Sequence, residues 1–119
     1  MNRLDRKQQV QILNALVEGN SMRSTARMAD VSFNTVVKLL LDAGRVCAEY
    51  QDETLRNLTC KRLQCDEIWS FCYAKQKNLG PDMPEGAGDV WTWTAIDVAS
   101  RMMISWVVGK RDLETGRMF

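Results

Sequence analysis

The sequence predicts an α+β protein, with three helices first and a three-stranded antiparallel meander after them. Two observations carry this. Apolar residues recur at three- and four-residue spacing along the front of the chain, then give way beyond residue 62 to aromatic and β-branched runs with two-residue alternation. Glycine, proline and short polar clusters fall between these segments, where turns belong.

The helices come in order. From Leu4 onward, Val10, Leu13, Ala15, Leu16 and Val17 recur at helical spacing among Arg, Lys and Gln. Gly19 is a natural C-terminal cap. A second helix is expected over 22–29, capped by Asn20 or Ser21. Residues 30–32 form a tight break, since Asp30 tolerates the left-handed conformation better than most residues. Ser32 then caps a third helix over 33–43. Its Val36, Leu39 and Leu40 make an apolar stripe, and Gly44 stops it. Residues 46–62 read as a connector, with a weak helical pattern through Ala48, Tyr50, Leu55 and Leu58.

The strands follow. Residues 63–74 are rich in Ile, Trp, Phe, Cys and Tyr and read as the first. Residues 75–89 hold both prolines and three of the seven glycines and read as a loop. Over 90–96, Trp91 and Trp93 take one face and Val90, Thr92, Thr94 and Ile96 the other. A polar turn over 97–101 joins this strand to the next, over 102–108, as an antiparallel hairpin. Asp112 can cap one more helix. Trp91, Trp93 and Trp106 read as core. The organisation expected is a module over 1–45, the connector, and a second domain over 63–119.

A chain of 119 residues has room for one small module and part of another. Its hydrophobic fraction of 45% and charged fraction of 26% suit a globular protein. No apolar run approaches the ~20 residues of a membrane span. The opening residues lack the apolar core of a signal peptide. A cytoplasmic protein without a membrane partner is therefore expected. Residues 1–45 carry seven Lys/Arg against four Asp/Glu, a net +3; residues 46–119 carry nine against eleven, a net −2. A basic front suits contact with phosphate. Cys47, Cys60, Cys65 and Cys72 show no C-x-x-C spacing, and there is no histidine, which excludes a mixed Cys/His zinc site. They read as reduced, partly buried thiols.

Residues 22–40 (MRSTARMADVSFNTVVKLL) resemble the bihelical unit of helix-turn-helix proteins. Ala26 falls where two helices cross and a larger side chain would separate them. Val31 plugs the turn into the core, and Ser32 caps the next helix. Val36 and Leu39 hold that helix against the first two. Asp30 departs from the pattern, where glycine is common. In such a unit the third helix reads DNA. Phe33, Asn34, Thr35 and Lys38 would project into the major groove. Asn pairs bidentately with adenine, and Lys reaches guanine or phosphate. Arg23 and Arg27 would lie nearer the backbone and fix position.

A second feature is Asp66-Glu67, two acids early in an otherwise apolar strand. Neighbours on a strand point to opposite faces, so both cannot face one core. A carboxylate on a sheet face is a ligand type for Mg²⁺ in phosphoryl transfer. It is equally an edge acid in solvent, or a partner for Lys61 or Arg62.

The chain resembles transposases of the "insertion sequence one" family over roughly residues 4–112. The resemblance lies in 16–24 (LVEGNSMRS), 29–32 (ADVS), 34–36 (NTV), 38–40 (KLL), 48–52 (AEYQD), 55–58 (LRNL), 64–71 (QCDEIWSF), 73–78 (YAKQKN) and 88–97 (GDVWTWTAID). It implies a DDE-type transposase with an RNase H-like catalytic domain that binds element ends and uses Mg²⁺ or Mn²⁺. Asp66 matches the first catalytic acid and so the first metal ligand; Asp97 does not match the second. Only seven residues follow Asp112, so the later acids are missing and the domain is expected to be incomplete, with no catalysis by this chain alone and no metal held by it alone. Its partners would be the element's terminal repeats as double-stranded DNA, further copies of itself, or the full-length transposase. Exposed sheet edges would favour association. Two other readings are a helix-turn-helix transcriptional regulator with a small C-terminal domain, and a small nuclease using Asp66, Glu67 and Asp97.

Overall fold

The computed structural model describes residues 3–119. The protein is α+β: among these residues there are four α-helices, one 3-10 turn and a three-stranded antiparallel sheet. The chain divides into two compact units, one running to Arg56 and one spanning Asn57–Phe119.

The first unit holds α1 (Arg6–Val17), α2 (Met22–Ala29) and α3 (Phe33–Thr54). Each start is capped by a short polar side chain. Asp5 accepts from the Gln8 backbone N–H at 2.8 Å, while the Gln8 side chain accepts from the Asp5 N–H at 3.1 Å. Two donors at the helix start are thereby satisfied reciprocally. Ser21, not Asn20, caps α2. Asn20 instead donates its amide to the Ala15 carbonyl at 2.9 Å, closing the end of α1 beside Gly19, whose φ is +92°. Ser32 caps α3.

The core of this unit is Ile12, Ala26 and Val36, with Leu4, Leu16, Ala29, Val31 and Leu39 packed around them. The apolar positions read along α1 are only partly those that bury. Ile12 is fully covered, whereas Val10 is 58% and Val17 83% exposed. Ile12 and Leu16 lie four apart and share a face, and Val10 and Val17 fall off it. α3 also runs past its expected end. Gly44 does not stop it, and the helix continues through most of the expected connector to Thr54. A glycine inside a helix costs about 1 kcal/mol, too little to end a run of good helix formers such as Arg45, Ala48, Glu49 and Gln51.

The second unit is built on β1 (Leu63–Cys72), β2 (Gly88–Asp97) and β3 (Met103–Gly109), in the order β1-β2-β3. The loop before β2 contains a 3-10 turn (Gln76–Asn78), and α4 (Leu113–Met118) follows β3. Asp112 caps α4 through the Thr115 N–H at 2.8 Å. Cross-strand partners share a face, so the register sorts the side chains. Trp69 pairs with Trp91 and Glu67 with Trp93; Trp93 pairs in turn with Val107. α4 packs at one end of this face. The Trp93 ring centroid lies 5.9 Å from that of Phe119, the Trp93 indole N–H donates to the Lys110 carbonyl at 3.2 Å, and Thr115 is buried beside Gly109.

The opposite face carries Thr94 between Asp66 and Trp106, and Thr92 between Ile68 and Val108. Ile68 is 56%, Trp106 44% and Val108 52% exposed. Trp106 is therefore not core, and Trp91 and Trp93 are half-buried. Nearly all of β1 is exposed, because it is an edge strand. Among the described residues, no helix is long and apolar enough to cross a membrane.

Candidate nucleic-acid interface

The link between α2 and α3 is three residues long, Asp30, Val31 and Ser32. Asp30 takes a left-handed conformation, φ 54° and ψ 49°, and its N–H and that of Val31 turn back onto the last carbonyls of α2. This is the geometry glycine adopts most readily at a helix end. Asp30 holds it because a short polar side chain pays less for positive φ than a branched one. Val31 folds inward against the core, and α3 departs in a new direction from Ser32.

The six side chains expected to meet DNA separate into three kinds. Asn34 and Lys38 are exposed and lie four residues apart, hence on one face of α3. Arg23 and Arg27 are exposed on α2, with Arg27 donating to the Ser24 hydroxyl at 3.2 Å. Thr35 is half-buried, and its hydroxyl shares a 2.8 Å hydrogen bond with that of Ser32, so it completes the cap of α3. Phe33 is also half-buried. The Arg23 guanidinium carbon sits 4.8 Å from the centroid of its ring. Phe33 is thus a platform under Arg23 and not a freely projecting group. With Ala26, Arg27, Asp30 and Val31 these two residues line a hollow of about 380 Å³.

The carboxylates of the second unit do not converge. Asp66 is exposed, and its Oδ1 accepts from the Glu67 backbone N–H at 2.8 Å. Glu67 points to the other face, where its Oε2 accepts from Arg111 Nε at 2.8 Å. Neither Lys61 nor Arg62 takes that role. Asp97, across from Leu63, shares a face with Glu67 and is bonded into the turn by the hydroxyl and N–H of Ser100. The Ser100 hydroxyl, then its N–H, hold the Asp97 carboxyl below the ordinary carboxylate range. Among the described residues, no three Asp, Glu or Cys side chains come together to grip a metal. Asp66 alone does not fit the metal pair that the resemblance implies, and the small-nuclease arrangement fails because its three acids divide between two faces.

Arg111 and Lys75 were not marked by the sequence. Arg111 lies 5.1 Å from the Trp91 centroid, and the Lys75 ammonium 5.3 Å from that of Trp69. Arg111 is 20 residues from Trp91, and Lys75 reaches back to Trp69 from beyond the end of β1, so neither contact follows from strand alternation. The cysteines also differ from expectation. All four are free thiols, but Cys47, Cys65 and Cys72 are exposed. No family model, no curated protein and no solved structure matches this chain.

Proposed function

We propose that the protein binds duplex DNA sequence-specifically, with α2 and α3 acting as a helix-turn-helix and α3 entering the major groove. The observation that carries this reading is the exposed pair Asn34 and Lys38 on the first turns of α3, flanked by exposed Arg23 and Arg27 on α2. Asn34 supplies the bidentate amide that reads adenine, and Lys38 reaches guanine or phosphate. The two arginines grip the backbone and set the register.

On the resemblance to "insertion sequence one" transposases, the proposed target is the terminal repeats of an insertion element. In the same reading the second unit is a part of an RNase H-like DDE domain, and Asp66 is the counterpart of its first acid. The separation of Asp66 from Glu67 and Asp97 supports binding, and not cutting, as the activity of this chain.

Selection from a random-core duplex pool, followed by anisotropy on the enriched sequence across a salt series, tests the proposal. One enriched sequence, with preference surviving physiological salt and lost in Asn34→Ala/Lys38→Ala, is expected. Equal, salt-labile binding of every duplex at about 10⁻⁴–10⁻⁶ M would reduce it to charge attraction. DNA cleavage with Mg²⁺ or Mn²⁺ that disappears in Asp66→Ala would overturn the non-cutting part.

A further inference from the structure

The sheet face that carries α4 is covered at one end only. There Trp93 packs against Phe119. Towards the other end the same face presents Trp69, 41% exposed, and Phe71, 47% exposed, with ring centroids 5.7 Å apart and planes tilted by 39°. Here the Lys75 ammonium stands over the Trp69 ring at 5.3 Å, and Arg111 stands over Trp91, the cross-strand neighbour of Trp69. Trp69, Lys75, Gln76, Lys77 and Asp89 line an open hollow of about 480 Å³. Its one acid, Asp89, is the cross-strand partner of Phe71, and its Oδ1 accepts from the Gln76 backbone N–H at 2.9 Å.

Exposed rings of this kind, beside cations, make a surface for single-stranded nucleic acid. Every base has a π-face that stacks on an aromatic ring, and lysines beside the ring meet the flanking phosphates. We infer that the Trp69–Phe71 end of this face binds single-stranded DNA, with unstacked bases on the two rings and phosphates on Lys75 and Lys77. The rings sit two residues apart on one strand, so they present successive platforms along a single track. A base stacking on Trp69 would displace the Lys75 ammonium from over the ring, where it stands 5.3 Å from the centroid, towards the phosphate of the same nucleotide. The site is separate from α2 and α3 and does not depend on the duplex-binding reading.

The test uses the full chain and a fluorescein-labelled oligothymidylate, with an abasic oligodeoxynucleotide of equal length beside it. The oligothymidylate is expected to bind more tightly than the abasic strand. Trp69→Ala and Phe71→Ala should each weaken it by roughly 5- to 150-fold, the effect of losing one base–ring stack. Lys75→Ala/Lys77→Ala should weaken it and flatten its salt dependence. Asn34→Ala/Lys38→Ala should abolish the duplex preference while the preference for oligothymidylate over the abasic strand persists, which separates failure of this site from failure of the duplex reader. Equal affinity for the abasic strand in the wild-type chain would overturn the inference, and that comparison stands even if a ring variant misfolds. Unchanged affinity in a folded Trp69→Ala chain would overturn it as well.

Discussion

Glu67 and Arg111 meet at 2.8 Å across 44 positions of sequence, tying the edge strand β1 to the segment that enters α4. Arg111 lies at the same time beside the Trp91 ring. Glu67 is thereby occupied as a structural partner and faces away from Asp66. The ion pair is partly solvent-exposed, with Arg111 at 62% and Glu67 at 29%, so water screens it. Glu67→Gln should cost less than about 1 kcal/mol. The loss should shrink as salt rises. Chemical denaturation at low and high salt checks this; a loss of several kcal/mol at both would mean a buried, unscreened pair.

Thr25 and Ile12 give opposite expectations in one core. Both are fully buried, but the Thr25 hydroxyl has no hydrogen-bond partner. An unsatisfied buried hydroxyl costs about 1–3 kcal/mol. Thr25→Val keeps the shape and removes that cost, so a stabilisation of about 1 kcal/mol is expected. Ile12→Ala empties the centre of the cluster and should cost about 2–5 kcal/mol. Thermal melts of the two variants should move in opposite directions.

Two glycines separate in the same way. At Gly44 a Cβ meets nothing within 4 Å, so Gly44→Ala should stabilise α3 by about 0.5–1 kcal/mol. At Gly109 a Cβ would lie 2.9 Å from Thr115 Cγ2 and 3.1 Å from its hydroxyl. Gly109→Ala should push α4 off the sheet and cost about 1–3 kcal/mol. Far-UV circular dichroism reads the first, and the near-UV signal of Trp93 the second.

Asp97 sets a pH dependence of known sign. Its folded carboxyl is held below the ordinary range, first by the Ser100 hydroxyl and then by the Ser100 N–H. A depressed folded value stabilises the protein above the unfolded value, and the contribution is lost as pH falls through the folded one. Asp112, held low by Thr115, contributes in the same acid window. Asp97→Asn should therefore remove part of the acid destabilisation and leave the Asp112 part. Melting temperature against pH for both chains, from neutrality into that window, checks it. Identical pH profiles would mean that Asp97 contributes nothing.

Most local signals were carried by the sequence alone. Asp5, Ser21, Ser32 and Asp112 cap helices because a short polar side chain needs only the N–H three residues ahead. Of these, Ser21, Ser32 and Asp112 were legible as caps. Asp30 marks its own left-handed turn, and the alternation over 90–96 marks β2. The placement of Ala26, Val31 and Val36 in one core was legible because their spacing is that of a bihelical turn. Beyond that range the tertiary structure decided. Ile12, and not Val10, is central because helix phase relative to α2 and α3 selects the buried stripe. α3 outruns Gly44 because one glycine is a small cost against a long helical run. Phe33 lies under Arg23, Glu67 bonds Arg111, and Lys75 stands on Trp69 because packing and strand register bring those groups together. Asp66 and Asp97 fall on opposite faces for the same reason: parity along each strand comes from the sequence, but which residue stands across from which is fixed only when the strands pair.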